Sequence, residues 1–481
     1  MNMKWLNNLP GDALAAHELA LIQLSKLNVP EEARLKWLLA VDDALFPYHY
    51  ALAVAYARAK RLSTEEESRL WHAGHTLHEA WVRAYLGTLQ HPETSPEQVV
   101  LITARTLYHR SRAAVWRNFR YLPAPIGWWL DTHKIYSLAE AKGFAAQALE
   151  VFPHEEHADA AALYLRILML ETLNLSNMTR PQILAADKWI QHHVQGIALA
   201  TTYDPDRQLF YVDRSMDRGG CRIRNLKLQP SQRYWITDDL VADIENDILD
   251  DTHDVPDLDV LRSMHSEWSR TTYKRQRRSG ERSETARRAT VAHGIYAVCQ
   301  EVLNQTSGTA SELGGEIWHI ESISTHGLGA VVSTELNNWL QIGRIVVFKE
   351  EISFGMSVVG VIRNLKHQEP GKIYVGTEIL SYMALYGSLH QVAGGTNAAG
   401  AVPCIFVSSD ERRLNLSLLM PAVEYEAGAE RYLRLDKRLH RVRLHRLVEQ
   451  QDDWVRVEID VLKQLVAVPQ HELAQRPNPI L

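Results

Sequence analysis

Cysteine is scarce in this chain: Cys221, Cys299 and Cys404 are the only three in 481 residues, far apart and without a CxxC pair. That excludes a disulfide framework and a zinc ribbon, and it points to a reducing, cytoplasmic setting. Long apolar runs are missing as well. The longest, AALYLRILML at 161–170, is broken by Arg166, and crossing a bilayer takes about 20 residues, so no membrane insertion is expected. The first twenty residues hold no apolar core of signal-peptide length. A large charge excess is also lacking. Lys+Arg 52 against Asp+Glu 58 leaves −6, which argues against a whole-protein grip on nucleic acid or an anionic membrane, so any basic function is local. There is no GxSxG elbow, and the Gly/Ala-rich stretch VAGGTNAAGA at 392–401 lacks the Lys-Ser/Thr ending of a phosphate loop. An enzyme is not expected.

What is present is enough chain for about three domains at roughly 150 residues each, with the 46% hydrophobic and 23% charged content of a globular protein. Residues 1–195 read as an all-helical module. Asn28 precedes Pro30 and Glu31, Ser63 has Glu66 three residues on, and Ser95 is followed by Pro96 and Gln98. Each combination supplies an oxygen for unpaired helix N–H groups, or a proline where no donor is needed. Apolar residues recur at helical spacing between these starts, as in Leu35, Leu38, Leu39 and Leu45. Trp37, Trp71, Trp81, Trp116, Trp128 and Trp129 add large side chains for a core, or for a partner-binding face.

Residues 196–270 hold a β excursion and an acidic helix. The strand candidates are GIALATTYD (196–204), QLFYVDR (208–214) and CRIRNLKL (221–228), separated by Asp-Pro and Gly-Gly turns. Residues 238–259 then carry ten carboxylates and no Lys or Arg. In DDLVADIENDIL, Leu240, Ile244 and Ile248 share one helix face. Residues 271–288 form a basic linker arm; between 270 and 288 lie eight Lys or Arg against Glu281 and Glu284. As a nucleic-acid platform this arm lacks aromatics beyond Tyr273.

From 289 the apolar period switches from 3.6 to 2. EIWHIESISTHGLGAVVS (316–333), RIVVF (344–348), MSVVGVI (356–362) and KIYVGTEIL (372–380) define a first small β-barrel over 289–388. PCIFVSS, LNLSLLM, RYLRL, RLHRVRLHRLVEQ and DWVRVEIDVL define a second over 389–468. In the last of these, Trp454, Val457, Ile459 and Val461 alternate with Arg456, Glu458 and Asp460. The tail, 469–481, has three prolines and is expected to be unstructured. The fold class is therefore α+β and multidomain, an N-terminal helical module followed by two small antiparallel barrels.

Arginines feeding a small barrel with a Ser/Gly turn at its mouth suit a phosphate-rich nucleotide. A guanidinium fork matches phosphate oxygens bidentately, reads guanine O6 and N7, and stacks on a base. The region 275–385 resembles a PilZ domain, a six-stranded barrel. That family carries an RxxxR pair on the entering arm and D/N-x-S-x-x-G on an early strand turn. Here Ser322-Ile323-Ser324-Thr325-His326-Gly327 matches the second element at Ser324 and Gly327, with Ser322 in the acidic or amide position. Arg278 and Arg282 have the RxxxR spacing; Arg287 and Arg288 lie nearer the barrel without it. Gly343 before RIVVF, Val359-Gly360-Val361-Ile362 and Val375-Gly376-Thr377-Glu378-Ile379 complete the likeness.

The resemblance implies a bacterial receptor or adaptor that binds cyclic di-GMP through Arg278, Arg282, Arg287, Arg288, Ser322, Ser324 and Gly327. Ligand would then alter domain arrangement or the binding of an unidentified protein partner, through the helical module or the second barrel. The alternative is a nucleotide-independent scaffold whose barrel holds other proteins. No cofactor and no metal are expected: His72, His75 and His78 drift by about 60° per step around a helix, and His154-Glu155-Glu156-His157 offers no third ligand.

Overall fold

The computed structural model describes residues 11–25, 31–59, 62–89, 94–250, 255–273, 283–307, 316–335, 339–350, 357–369, 371–391, 400–408, 416–436 and 438–465. The expected tail 469–481 and residues 274–282 of the basic arm lie outside the described residues. The chain divides into two compact units, Met1–Arg277 and Arg278–Leu481.

The first unit is helical: Ala13–Ser25 (α1), Glu31–Arg58 (α2), Thr64–Leu89 (α3), Pro96–Asn118 (α4) and Trp128–Ala141 (α5). A small hairpin, Leu149–Glu150 (β1) with His157–Ala158 (β2), leads to Ala160–Glu171 (α6) and Arg180–His193 (α7). The starts are where the sequence places oxygens. Ser95 caps Gln98 N while the Gln98 side chain returns to Ser95 N, with Pro96 in the first turn. Ser63 and Glu66 exchange the same pair of bonds, and so do Thr179 and Gln182 ahead of α7. These reciprocal caps satisfy donors that the helix itself cannot.

Helix α4 is the centre of the unit. From Ile102 to Arg117 nearly every side chain is buried, four of them arginines. Arg105 reaches Asp42 and Asp43, Arg110 reaches Glu79 at 3.2 Å, and Arg112 shares Asp187 with Arg166 of α6. Arg117 lies 4.3 Å from the centre of the Trp128 ring, with Glu171 at 3.9 Å. The tryptophans pack around this charge. Trp37, Trp81, Trp116, Trp128 and Trp129 are buried, and Trp71, half-buried, donates to Trp116 O. Of the two readings open for these tryptophans, the five buried ones are core, because rings of this size contribute most when removed from water.

The β excursion is smaller than the sequence suggests. Phe210–Asp213 (β3), Cys221–Arg222 (β4) and Gln232–Trp235 (β5) form a sheet in the order β4-β3-β5, and residues 196–204 contribute only a bridge from Ala200 to Tyr234. The expected strand was overestimated, since its partner offers one bridging residue and the backbone has no ladder to join. Asp238–Leu249 (α8) and Val255–Trp268 (α9) close the unit. Leu240 and Ile244 of α8 are buried and its acids face outward or pair, Asp247 accepting from Trp189 Nε1 at 2.7 Å.

The second unit holds two closed, antiparallel, six-stranded barrels. Ser283–His293 (β6) is followed by a helix, Ile295–Ser307 (α10), then Glu316–Ser324 (β7), Gly327–Ser333 (β8), Ile345–Glu350 (β9), Ser357–Glu369 (β10) and Lys372–Ser381 (β11). The first barrel closes in the order β10-β11-β8-β7-β6-β9. The second uses Leu385–Gln391 (β12), Val402–Ser408 (β13), Leu416–Pro421 (β14), Glu430–Leu435 (β15), Arg438–Gln450 (β16) and Trp454–Leu465 (β17), closing as β12-β13-β14-β17-β16-β15. Closure removes every free edge, so Arg441, Arg443 and Arg446 of β16 line a paired strand, bonded to Glu430 and Glu458. Val461, expected inward, is 46% exposed.

Helix α10 departs from the all-β reading of this region. Ile295, Val298, Cys299 and Val302 keep helical spacing and pack in one core with Ile345, Val347, Val359 and Val361 of the first barrel and Ile405, Val407, Leu419 and Trp454 of the second. Polar contacts follow the same seam: Trp454 Nε1 donates to Gly343 O at 2.9 Å, and Arg363 holds Glu449 with two bonds of 2.6 and 2.7 Å.

The α4 charges allow a direct check. Asp187→Asn should strand Arg112 and Arg166 in a dry site and cost the helical unit about 3–5 kcal/mol. Replacing all three by apolar residues of similar volume should recover most of that loss, both read from the tryptophan-fluorescence urea transition.

Candidate functional site

The candidate site lies where β6, β7 and β8 run side by side. Pairing of β6 with β7 sets Arg288 opposite His319, Arg287 opposite Ile320 and Glu284 opposite Ser322. The ladder slips between Glu284 and Arg287, and a second slip in β7 falls between Ile320 and Ser322. Bulges on adjoining strands bend a barrel rim and re-aim its side chains. Arg287 and Arg288 are exposed here, on a barrel strand rather than on an arm preceding it, because the ladder of β6 begins at Ser283. Arg278 and Arg282 lie outside the described residues.

The serine–glycine turn is a tight hairpin. Ser324 pairs with Gly327 across Thr325-His326, and Ser322 pairs with Gly329. Ser324 Oγ donates to Gly327 O at 3.2 Å, while Ser324 O accepts from Tyr382 Oη at 3.0 Å. Tyr382 stands in the short connection between β11 and β12, so the turn is tied to the passage from one barrel to the next. Ser322 and Ser324 are half-buried.

Gly327 is needed for close approach. A Cβ there would lie 3.3 Å from Thr377 O of the neighbouring strand β11. Gly329 is tighter still, with Tyr374 Oη at 2.4 Å and Ser322 Oγ at 2.7 Å from the position a Cβ would take. Tyr374, Gly329 and Tyr382 were not singled out from the sequence. The repeated glycine in Gly327-Leu328-Gly329 was the available signal, since two glycines in alternate strand positions mark a surface where something approaches the backbone.

Charged side chains from neighbouring strands meet at this rim. Glu378 of β11, directly opposite Gly327, is engaged by Arg363 Nε at 2.7 Å. Burial alone would lower the pKa of Arg363, but the Glu449 and Glu378 carboxylates more than offset it and raise it. Glu378 is thereby ion-paired, and Arg287 and Arg288 stand on the same barrel wall, opposite Ile320 and His319 of β7. Such a rim can hold phosphate oxygens and base edges.

The histidines divide differently from their order in the chain. His72 is exposed, and His75 stacks on Trp71 with ring centres 4.6 Å apart. His78 is fully buried against His109, which sequence spacing did not single out. His154 and His157 are exposed.

With helices followed by two closed barrels, the chain is an α+β multidomain protein whose first barrel carries an arginine–serine rim. Residues 3–204, within the helical unit, match the family model described as the N-terminal domain of the cyclic-di-GMP receptor FimW. No curated protein and no solved structure matches the chain. Among the described residues, no helix is long and apolar enough to cross a membrane.

The Gly329 packing can be tested alone. Gly329→Ala should cost about 1–3 kcal/mol by overpacking, and adding Tyr374→Phe should return part of it. The urea midpoint of the barrel unit reads both.

Proposed function

We propose that this chain is a cyclic-di-GMP-responsive receptor or adaptor, not an enzyme, acting in the cytoplasm of a bacterium. Its first barrel is read as a PilZ domain, with ligand held at the barrel mouth by Arg287 and Arg288, by Arg278 and Arg282 from the arm, and by Ser322, Ser324 and Gly327. The observation that carries this reading is the β6–β7 pairing, which sets two exposed arginines along the strand that ends in the serine–glycine turn. The likeness of residues 3–204 to a cyclic-di-GMP receptor's N-terminal domain supports the same ligand independently.

The physical logic is that of charge pairing. Arginine forks remain charged at any physiological pH and pair with phosphate in two parallel bonds. A ligand that prefers one arrangement of the protein shifts the population toward it, and that shift is available to a protein partner. The partner face belongs to the helical module or the second barrel.

One observation favours a second reading, a nucleotide-independent scaffold. Ser322 stands where the resembled family keeps an aspartate or asparagine, which reaches further toward guanine N–H groups. Losing one hydrogen bond to a charged group is worth about 1.5–3 kcal/mol.

Titration calorimetry of the full chain with cyclic di-GMP, using GTP and cyclic di-AMP as controls, tests the proposal. Saturable binding is expected, abolished when Arg278, Arg282, Arg287 and Arg288 are all changed to alanine. Ser322→Asn should tighten binding by about tenfold, equivalent to 1.4 kcal/mol. Absence of both heat and thermal shift at high ligand concentration would leave the scaffold reading.

A further inference from the structure

The helical unit encloses a second polar constellation, separate from the barrel rim. His17 of α1, Asp42 and His49 of α2, His78 of α3 and His109 of α4 are all buried, none above 1% exposed. They form one continuous relay. His17 Nδ1 lies 2.7 Å from Ala13 O, and its Nε2 lies 3.2 Å from His49 Nδ1. His49 Nε2 is 3.4 Å from Asp42 Oδ1, and His109 Nε2 is 3.0 Å from Asp42 Oδ2. His109 Nδ1 then meets His78 Nδ1 at 3.0 Å.

Proton counting along this relay leaves a mismatch. The Ala13 carbonyl only accepts, so His17 carries its proton on Nδ1 and, when neutral, offers a lone pair at Nε2. His49 must then donate from Nδ1. Its Nε2 lone pair is left facing a carboxylate oxygen, acceptor against acceptor, where no bulk water can intervene. Charge counting agrees. Asp42 Oδ2 accepts from Tyr85 Oη at 2.7 Å and from Arg105 Nη1 at 2.9 Å, Arg105 is shared with the part-exposed Asp43, and Asp42 Oδ1 faces His49. A buried carboxylate short of counter-charge is costly. A cation between His49 and Asp42 would resolve both counts.

We propose that this place binds a divalent transition-metal ion of the zinc class, with Asp42, His49 and His109 as its ligands. Their ligand atoms all lie within 4.8 Å of one another, and two imidazoles with one carboxylate suit such an ion. A tetrahedral site with bonds of ~2.0–2.1 Å puts neighbouring ligand atoms about 3.3 Å apart; His49 Nε2 and Asp42 Oδ1 are 3.4 Å apart. Metal-binding histidines are oriented through their other ring nitrogen, and here His17 serves His49 while His78 serves His109.

The proton balance closes without release. With the ion bound, His109 takes its other neutral tautomer, Nε2 offering its lone pair to the ion and Nδ1 carrying the proton toward His78. His78 correspondingly moves its own from Nδ1 to Nε2, a buried nitrogen with no hydrogen-bond partner. Asp42 and His49 are seven residues apart, about two helical turns, so one face of α2 supplies two ligands. With His109 from α4 and the orienting rings from α1 and α3, the ion fastens four helices together.

A single proton on His49 is the rival occupant, and metal analysis separates the two. The full chain, purified without chelator and gel-filtered, should retain about one zinc equivalent, since structural sites bind tightly. Zinc-edge X-ray absorption should count two imidazoles and an oxygen ligand. Stripping with a chelator should lower the thermal midpoint and Zn²⁺ should restore it, in the exposed-site control His72→Ala as in the wild type. His49→Ala and His109→Ala should lose the equivalent. Because those variants can also unfold, the wild-type readings decide: only trace metal with no thermal response to Zn²⁺, or a zinc edge without two imidazoles, overturns the proposal in favour of the proton.

Discussion

Buried charge on α4 is the constraint around which the helical unit is arranged. Four arginines on a helix wrapped by others cannot all reach water, and each has to find a carboxylate or an aromatic face in the interior. Asp42 and Asp43 of α2, Glu79 of α3 and Asp187 of α7 answer three of them; the Trp128 face and a more distant Glu171 answer the fourth. Apolar packing would tolerate many helix arrangements, but these pairings accept few, because a misplaced carboxylate strands a charge in a medium that penalises it. The same accounting leaves Arg105 divided between two acids beside the histidine relay.

The second unit rests on a different principle. Each barrel satisfies its backbone by closing on itself, and the two are held together by α10, whose apolar stripe is shared between them. Arg363 adds a polar clasp with a functional side effect. In engaging Glu449 of the second barrel it also neutralises Glu378, which lies across from the serine–glycine turn. Tyr382, in the connection between barrels, anchors the backbone of that turn. The rim where a phosphate-bearing ligand would sit is thus mechanically continuous with the seam between the barrels.

Local chemistry was legible wherever the deciding partners were close in the chain. Ser95 with Gln98 and Ser63 with Glu66 cap the helices they announce. The alternation after residue 316 marks barrel strands, and Leu240 with Ile244 turns the acidic helix inward. Legibility failed where thirteen residues of helical spacing, Ile295–Ser307, were read within a β-patterned region, and where GIALATTYD looked like a strand but had no ladder to join. The rim was half legible. The turn motif names Ser322, Ser324 and Gly327, whereas the need for Gly329 arises from Tyr374, on a strand that becomes its neighbour only when the barrel closes.

By itself, the sequence determined the α+β division, the two barrels and the arginine-rich approach to the first, since periodicity, caps and charge runs act over a few residues. Tertiary structure alone decided which charges meet. His109 lies 67 positions from Asp42 and Arg112 lies 75 from Asp187; no local spacing encodes such pairs. They form because a folded interior excludes water and leaves each buried ion only the counter-charges that packing brings within reach.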